Sequence, residues 1–575
     1  MFTEERRGRG GVLTRNQNYA AAVFRCARVT EALQWDLSLP PQQFRKPALA
    51  WLRWLLVVAL GLSGAALVTR AAVGPFHFVL FINRPLVAEG ILALSATILF
   101  LTHTSPATKQ THIPRLPFVG FAACLVLTAV YLYNSLSFPL VCDDYVLAAD
   151  GRGMDWATAI SRFTHTGIDR FFRPLADASL RLDVLWAGTN PVGWHILGCA
   201  LHVVNTLLVG VLAWRLFTRP WLAIWAAALF GIHGSRPEAI ALLARFDQLA
   251  TLFVLAGLLL FVGYLEFGHL PVLAGSCVAM LAGLLSKESA YIFPLLAVLL
   301  LWWRGQLNRL KLRATIPFFA ITAAVFAWRW NVLGGIGGYP DLVSGRPQIL
   351  NIRVLALLNG LTMRLWGLLY FPINWSYPPE WWLVAAMAAG FAAVICLVFF
   401  SRADRRTLWF ATAFTIIASL PVAHMLLIGS DLRGAVHTYL TSIGFCLFLA
   451  AVIDGMPARF LSRVAGTAIL LFQFAMLSHN LTIWDRTAQL ADRACQMLAR
   501  EAAQSNRPII VENPPLILDG VPFFTNGLPE CIGMKTPARD VSVEYGPSIA
   551  TRQAGIPVFV WDSEARRFVR KLGPH

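Results

Sequence analysis

The chain is 575 residues long, 57% hydrophobic and only 14% charged, with a net charge of +17, whereas soluble domains run at roughly 45–50% apolar and ~25% charged. That balance excludes an ordinary soluble enzyme and points to an integral membrane protein. The basic residues are spread over many short loops, which excludes a nucleic-acid groove and fits loops sorted by charge across a bilayer.

Residues 1–50 carry eight Arg or Lys, among them Arg6, Arg7 and Arg9, without the long apolar run and small-residue exit of a cleavable signal. They predict a cytosolic amino-terminal segment. Apolar runs of about 17 to 22 residues then recur, the length that a helix needs to cross ~30 Å of hydrocarbon. They predict spans at 50–69, 86–103, 116–136, 193–214, 220–235, 247–266, 270–286, 289–303, 314–332, 381–400, 406–425, 437–454 and 463–480. With the amino terminus inside, five basic loops all fall in the cytosol: Lys109 with Arg115, Arg215 with Arg219, Arg304 to Arg313, Arg402 to Arg406, and Arg459 with Arg463. Thirteen spans leave the carboxyl terminus outside. Segment 351–372 is apolar but carries Arg353 and Arg364 and ends in Phe-Pro, so it reads as an external helix partly sunk in the membrane surface.

The chain divides into a cytosolic segment (1–50), two extra spans (51–115), a core (116–480) and a polar external segment (481–575). Within the core, the external loop 141–192 interleaves Trp156, Phe163, Phe171, Phe172, Leu182 and Trp186 with charge, a pattern of helices lying in the interface plane. In the last segment short runs at 509–511 and 558–561 read as strands separated by Pro and Gly, predicting a small α/β or β-rich domain. Most of the nine cysteines lie inside spans and read as small apolar residues. Cys495 and Cys531 share the final segment and pair if it lies outside the cytosol.

Asp143 and Asp144 stand where the span 116–136 leaves the membrane. An Asp pair is commonly a helix N-cap or a solvated charge, but seven acids and five arginines crowd residues 141–183. Further polar groups follow. Arg173 precedes Pro-Leu; His195, His202 and Asn205 share one helix face within a span. His233 and Glu238 lead to Arg245 and Asp247; Lys287 and Glu288 lie between two spans; Asp431, Arg433, His437 and Tyr439 approach the twelfth span. By parity these clusters meet on the external side and predict a polar cavity opening outward.

The order of these motifs resembles a known family. The Asp pair, Arg-Pro-Leu with Asn-Pro-x-Gly-x-His, the His-x-x-x-x-Glu-Ala segment running on to Arg-x-Asp, Leu-Ser-Lys-Glu-Ser, and Gly334 to Tyr339 after Arg329 look like the membrane glycosyltransferases of the GT-C superfamily, in the protein O-mannosyltransferase-like branch. The similarity covers roughly residues 116–480. Departures are the two extra spans, a tail without tetratricopeptide repeats, and Arg433-Gly-Ala-Val-His437-Thr-Tyr439 where relatives often have Arg-Tyr.

The resemblance implies an all-α polytopic GT-C fold and transfer of a sugar, with inversion, from a polyprenyl phosphate to a protein or glycan hydroxyl outside the cytosol. It makes Asp143 the general base, with Asp144 orienting the acceptor or holding the base. A phosphate leaving group needs cations more than an acid, and Arg173, Lys287, Arg433 and His437 supply them, with Arg245 and His233 behind. Glu238, Asp247, His195, His202, Asn205, Glu288 and Tyr439 fall to the acceptor or the cavity. No cofactor is implied; a divalent ion on the Asp pair with Glu238 or Asp247 is the less favoured alternative. A transporter or flippase of a lipid-linked sugar is the rival reading, and it predicts charge near the bilayer midplane and two related halves.

Overall fold

In the computed structural model, the described residues are 47–73, 85–102, 118–167, 171–188, 190–338, 353–425, 429–504, 509–536, 541–544 and 557–571. The basic segment 1–46, the loop carrying Lys109 and Arg115, and Tyr339 lie outside them. The chain forms two units, residues 1–55 and 56–575. Of the first, only the opening turns of one helix are described.

Each of the thirteen predicted spans coincides with a helix over most of its described residues. Leaving single-turn helices unlabelled, the order is α1 (Pro47–Val73), α2 (Pro85–Thr102), α3 (Phe118–Leu132), α4 (Asp143–Gly153), α5 (Pro174–Ala187), α6 (Pro191–Phe217), α7 (Pro220–Gly231), α8 (Phe246–Phe267), α9 (Leu270–Leu284), α10 (Phe293–Trp303), α11 (Ile316–Leu333), α12 (Leu365–Tyr370), α13 (Trp381–Phe400), α14 (Arg405–Ser419), α15 (Thr441–Asp454), α16 (Arg459–Gln504) and α17 (Leu528–Lys535). Among the described residues nine helices are long and apolar enough to cross a membrane; α7, α9, α10 and α15 are shorter apolar helices. Many large apolar side chains on these helices face outward, Val119 and Trp381 among them, which suits a hydrocarbon solvent.

The helix starts follow local chemistry. Asn190 accepts from the Val192 N–H ahead of α6, whose first residue is Pro191, and Asp404 caps α14 through the Thr407 N–H. Antiparallel neighbours α6/α7, α8/α9 and α14/α15 pack along their lengths, and α13 lies along α16. Segment 353–370 is helical with a π-turn at Gly360–Arg364. Its first half is exposed at Val354 and Leu355, while every residue of α12 is buried. Gly367 permits this: a Cβ there would come within 3.2 Å of the Gly90 backbone nitrogen on α2.

The boundary expected at residue 481 falls inside α16, which runs unbroken for 46 residues, ~69 Å at 1.5 Å per residue. Beyond the apolar stretch its buried positions Ala488, Ala491, Cys495, Leu498 and Ala502 recur at helical spacing and support the C-terminal domain. There β1 (Ile509–Glu512), β4 (Val541–Glu544), β5 (Val558–Asp562) and β6 (Arg567–Arg570) form a sheet in the order β4-β1-β5-β6. The β1 strand is parallel to both neighbours, and β5 pairs antiparallel with β6. A small hairpin, β2 (Ile517–Leu518) with β3 (Val521–Pro522), and α17 complete an α/β domain. Cys495 of α16 is bonded to Cys531 of α17, with Cα atoms 6.0 Å apart. One apolar core joins this domain to the start of the external loop: Phe523, Phe524, Leu528 and Ile532 cluster with Phe138, Val141, Cys142 and Tyr145.

Candidate functional site

After α3 the chain makes a 3₁₀ turn, runs extended, and reaches Cys142, whose φ of 51° and ψ of −121° are sparsely populated for a residue with a side chain. That turn aims the first residues of α4. Asp144 is fully buried: its Oδ2 accepts from the Val141 N–H at 3.2 Å and its Oδ1 from the Leu243 N–H at 2.7 Å. Burial raises its carboxyl to about 8, against the two N–H donors, which favour the charged form. Asp143 is half-buried, and its Oδ1 accepts from Asn526 Nδ2 at 2.7 Å. One aspartate is an anchor for the backbone and its neighbour keeps an open side.

A cavity of about 450 Å³ lies between α10, α11 and the end of α14. Its polar wall is Arg173, Lys287, Glu288, Arg329, His424 and His437; its apolar wall includes Phe171, Tyr291, Leu295, Phe326 and Val422. Arg173 forks onto Glu288 Oε2 through Nε at 3.1 Å and Nη2 at 2.8 Å, and Arg329 lies 3.7 Å from Oε1. The Arg173 guanidinium also sits 4.1 Å over the Phe171 ring. Lys287 is paired with Asp247. Three cations thus face two carboxylates beside apolar surface, an arrangement suited to an anionic head on a hydrocarbon chain.

The predicted residues therefore separate. Arg173, Lys287, Glu288 and His437 come together in the cavity, whereas Asp143 and Asp144 are not among its lining residues. Arg245 is buried in an ion pair with Asp183 and donates to the Trp194 carbonyl at 3.0 Å; burial raises Asp183 to about 6 despite that partner. Buried Glu238 accepts from the Val436 N–H at 3.1 Å, and burial raises it to about 7. His195 bonds the Phe138 carbonyl at 3.1 Å. His202 lies between the Tyr439 hydroxyl at 2.7 Å and the Gly231 carbonyl at 2.9 Å, while Asn205 donates to the Gln248 carbonyl at 2.9 Å. His233 is held by Ser235 Oγ at 2.9 Å and the Leu369 carbonyl at 3.1 Å. These groups tie helices together. Arg433 is 43% exposed and paired with Asp431, away from the cavity wall.

Sequence reasoning missed Arg329, His424 and Asn526 as site residues. A lone arginine within the apolar run of α11 was the readable signal, since an intramembrane charge is costly and faces a polar interior. Asn526 has no local signature; its role depends on a domain folding back over 383 residues of separation.

No family model matches the chain. Among curated proteins it is similar to the protein O-mannosyl-transferase Tmtc1 of Drosophila melanogaster, 31% identical over 188 residues, which is 30% of this chain and 21% of that protein. It is 30% identical to Tmtc2 of the same organism over 226 residues, 36% of this chain and 24% of the relative. It is 27% identical to human TMTC2 over 240 residues, 37% of this chain and 28% of the relative. The chain spans about a quarter of the length of these relatives. They bear out the resemblance to the protein O-mannosyltransferase-like branch. Among solved structures, ArnT from Cupriavidus metallidurans in the apo state aligns at a TM-score of 0.36 and 15% identity, over 75% of this chain and 86% of that one. Its structure bound to undecaprenyl phosphate aligns at 0.33 and 15%, over 74% and 90%.

Proposed function

We propose, from its similarity to protein O-mannosyl-transferases, that this chain is a membrane glycosyltransferase carrying a hexose or pentose from a polyprenyl phosphate to an acceptor hydroxyl on a protein or glycan. The observation that carries the reading is the cavity in which Arg173, Lys287 and Arg329 stand beside an aromatic and aliphatic wall. A lipid-linked phosphate has that same division between charge and hydrocarbon.

In the proposed reaction the acceptor oxygen attacks the anomeric carbon as the bond from that carbon to the phosphate oxygen breaks. The hydroxyl proton passes to Asp143, and the lipid phosphate leaves with its charge offset by the cavity cations. Attack opposite the leaving group inverts the anomeric centre. Asp144 holds Asp143 in place by tying the backbone at Val141 to that at Leu243, and the buried Arg245–Asp183 pair ties the start of α8 to α5. A carboxylate base with cationic groups is sufficient for this chemistry, so no cofactor enters the proposal. The Cys495–Cys531 bond favours an oxidising compartment for the C-terminal domain. With the basic loops inside, the active site and this domain face the external or periplasmic side and the amino terminus the cytosol.

The purified full-length chain in lipid nanodiscs, supplied with polyprenyl-phosphate [³H]mannose and other labelled polyprenyl-phosphate sugars and with candidate peptides or glycans, tests this directly. Transfer is expected, reduced at least ~100-fold in Asp143→Asn. Undiminished transfer in that variant overturns the base, and movement of the carrier without transfer overturns the enzyme in favour of a flippase.

A further inference from the structure

We propose that the C-terminal α/β domain completes the catalytic site by supplying Asn526 as a positioning residue for Asp143; the inference rests on the reading of Asp143 as the base. The Asn526 amide donates to Asp143 Oδ1 at 2.7 Å. Asp143 Oδ2 has no hydrogen-bond partner among the described residues. Asn526 therefore fixes the rotation of the carboxylate and directs its second oxygen toward the proton to be taken.

Three features show that this contact is built. Gly527 has φ +83°, a conformation that side chains resist, and a Cβ there would stand 2.3 Å from the Cys142 carbonyl oxygen. Only glycine lets the loop lie this close to the residue preceding Asp143. The contact lies over a shared core, because Leu528 and Cys531 pack with Cys142 and Tyr145. Directly after Gly527, α17 is fastened to α16 by Cys495–Cys531 and by Lys535 on Asp492 at 2.6 Å. The loop is pinned on both sides of the amide, and the strained backbone at Cys142 lies beneath it. Strain of this kind persists where surrounding structure over-determines it, and the Gly527 loop is that surrounding structure.

The test uses the full-length protein with polyprenyl-phosphate [³H]mannose, following release to water when no acceptor is supplied. Asn526→Ala is expected to lower kcat about tenfold with KM for the donor unchanged, because the residue is not among those lining the cation-bearing cavity. Asn526→Asp keeps the shape but sets a carboxylate against a carboxylate, a pair that cannot both ionise at this distance, and is expected to lower kcat about a hundredfold at pH 7 and to move the pH profile of kcat upward. Substituting a merely structural asparagine would lower stability and leave the pH profile of kcat in place. Wild-type kcat in both variants, or a loss confined to KM, overturns the inference; activity persisting in Asp143→Asn instead overturns the base. A substrate-free arm pairs Asp143→Cys with Asn526→Cys and bridges them with a short bis-methanethiosulfonate reagent. Mass spectrometry is expected to find the 143–526 link, and its absence overturns the placement.

Discussion

Adjacent aspartates receive opposite environments from this fold. Asp144 is surrounded by protein and satisfied by two backbone donors, while Asp143 accepts from Asn526 through Oδ1 and keeps Oδ2 open. The distinction has a measurable sign. Burial holds the folded-state Asp144 carboxyl at about 8, above its ordinary value of 3.8, so its stabilising contribution is complete below pH ~4 and is lost as the pH rises through about 8. Thermal midpoints in nanodiscs are therefore expected to fall between pH 5 and 9 by the equivalent of a few kcal/mol. Asp144→Asn offers one acceptor oxygen to two N–H donors, which costs ~1–2 kcal/mol at pH 5, and its midpoint is expected to vary less with pH, so the gap closes and then reverses toward pH 9. A midpoint difference that stays constant with pH would contradict this. The pair itself was legible as a place where a span ends beside crowded charge. The family pattern singled out Asp143, but the contrast between the two environments was not legible, because it comes from Leu243 and Asn526, 99 and 383 residues away.

Among the elements, the apolar runs were legible because length and hydropathy suffice to specify a membrane helix. The extent of α16 was harder to see. Its apolar block ends near residue 480, and the continuation is written in small buried residues, Ala488, Ala491 and Ala502, whose spacing is helical but whose hydropathy is modest. The domain on this helix depends on its covalent tie. Cys495 and Cys531 are 36 residues apart, and loss of the bond is expected to lower stability by ~2–4 kcal/mol. Cys531→Ser should unfold its domain at lower temperature and expose the 520–530 loop to protease, with helical content in the membrane segments kept. Reductant is expected to reproduce the effect in the wild-type protein and to leave Cys531→Ser unchanged. Resistance to both would show that the core alone holds the domain.

At the scale of the whole molecule, the cavity is assembled from segments between Phe171 and His437 that have no proximity in sequence. Motif order brought Arg173, Lys287, Glu288 and His437 to notice; Arg329 entered only as the residue ahead of the glycine run, and His424 was hidden in an apolar run. Because Arg329 shares Glu288 with Arg173, Arg329→Gln is expected to raise KM for the lipid donor about tenfold, with smaller change in kcat; a change in kcat alone would remove Arg329 from donor binding. Asp143 and the cavity are held by different parts of the protein, and α16 carries the domain that reaches Asp143. A helix of this length is a lever arm. If its outer half extends ~30 Å beyond the hydrocarbon, one degree of tilt moves the tip by ~0.5 Å, the tolerance within which a reacting constellation must be held. Helix tilt responds to bilayer thickness, so the lipid composition around this protein acts on the seat of the Asn526 amide against Asp143.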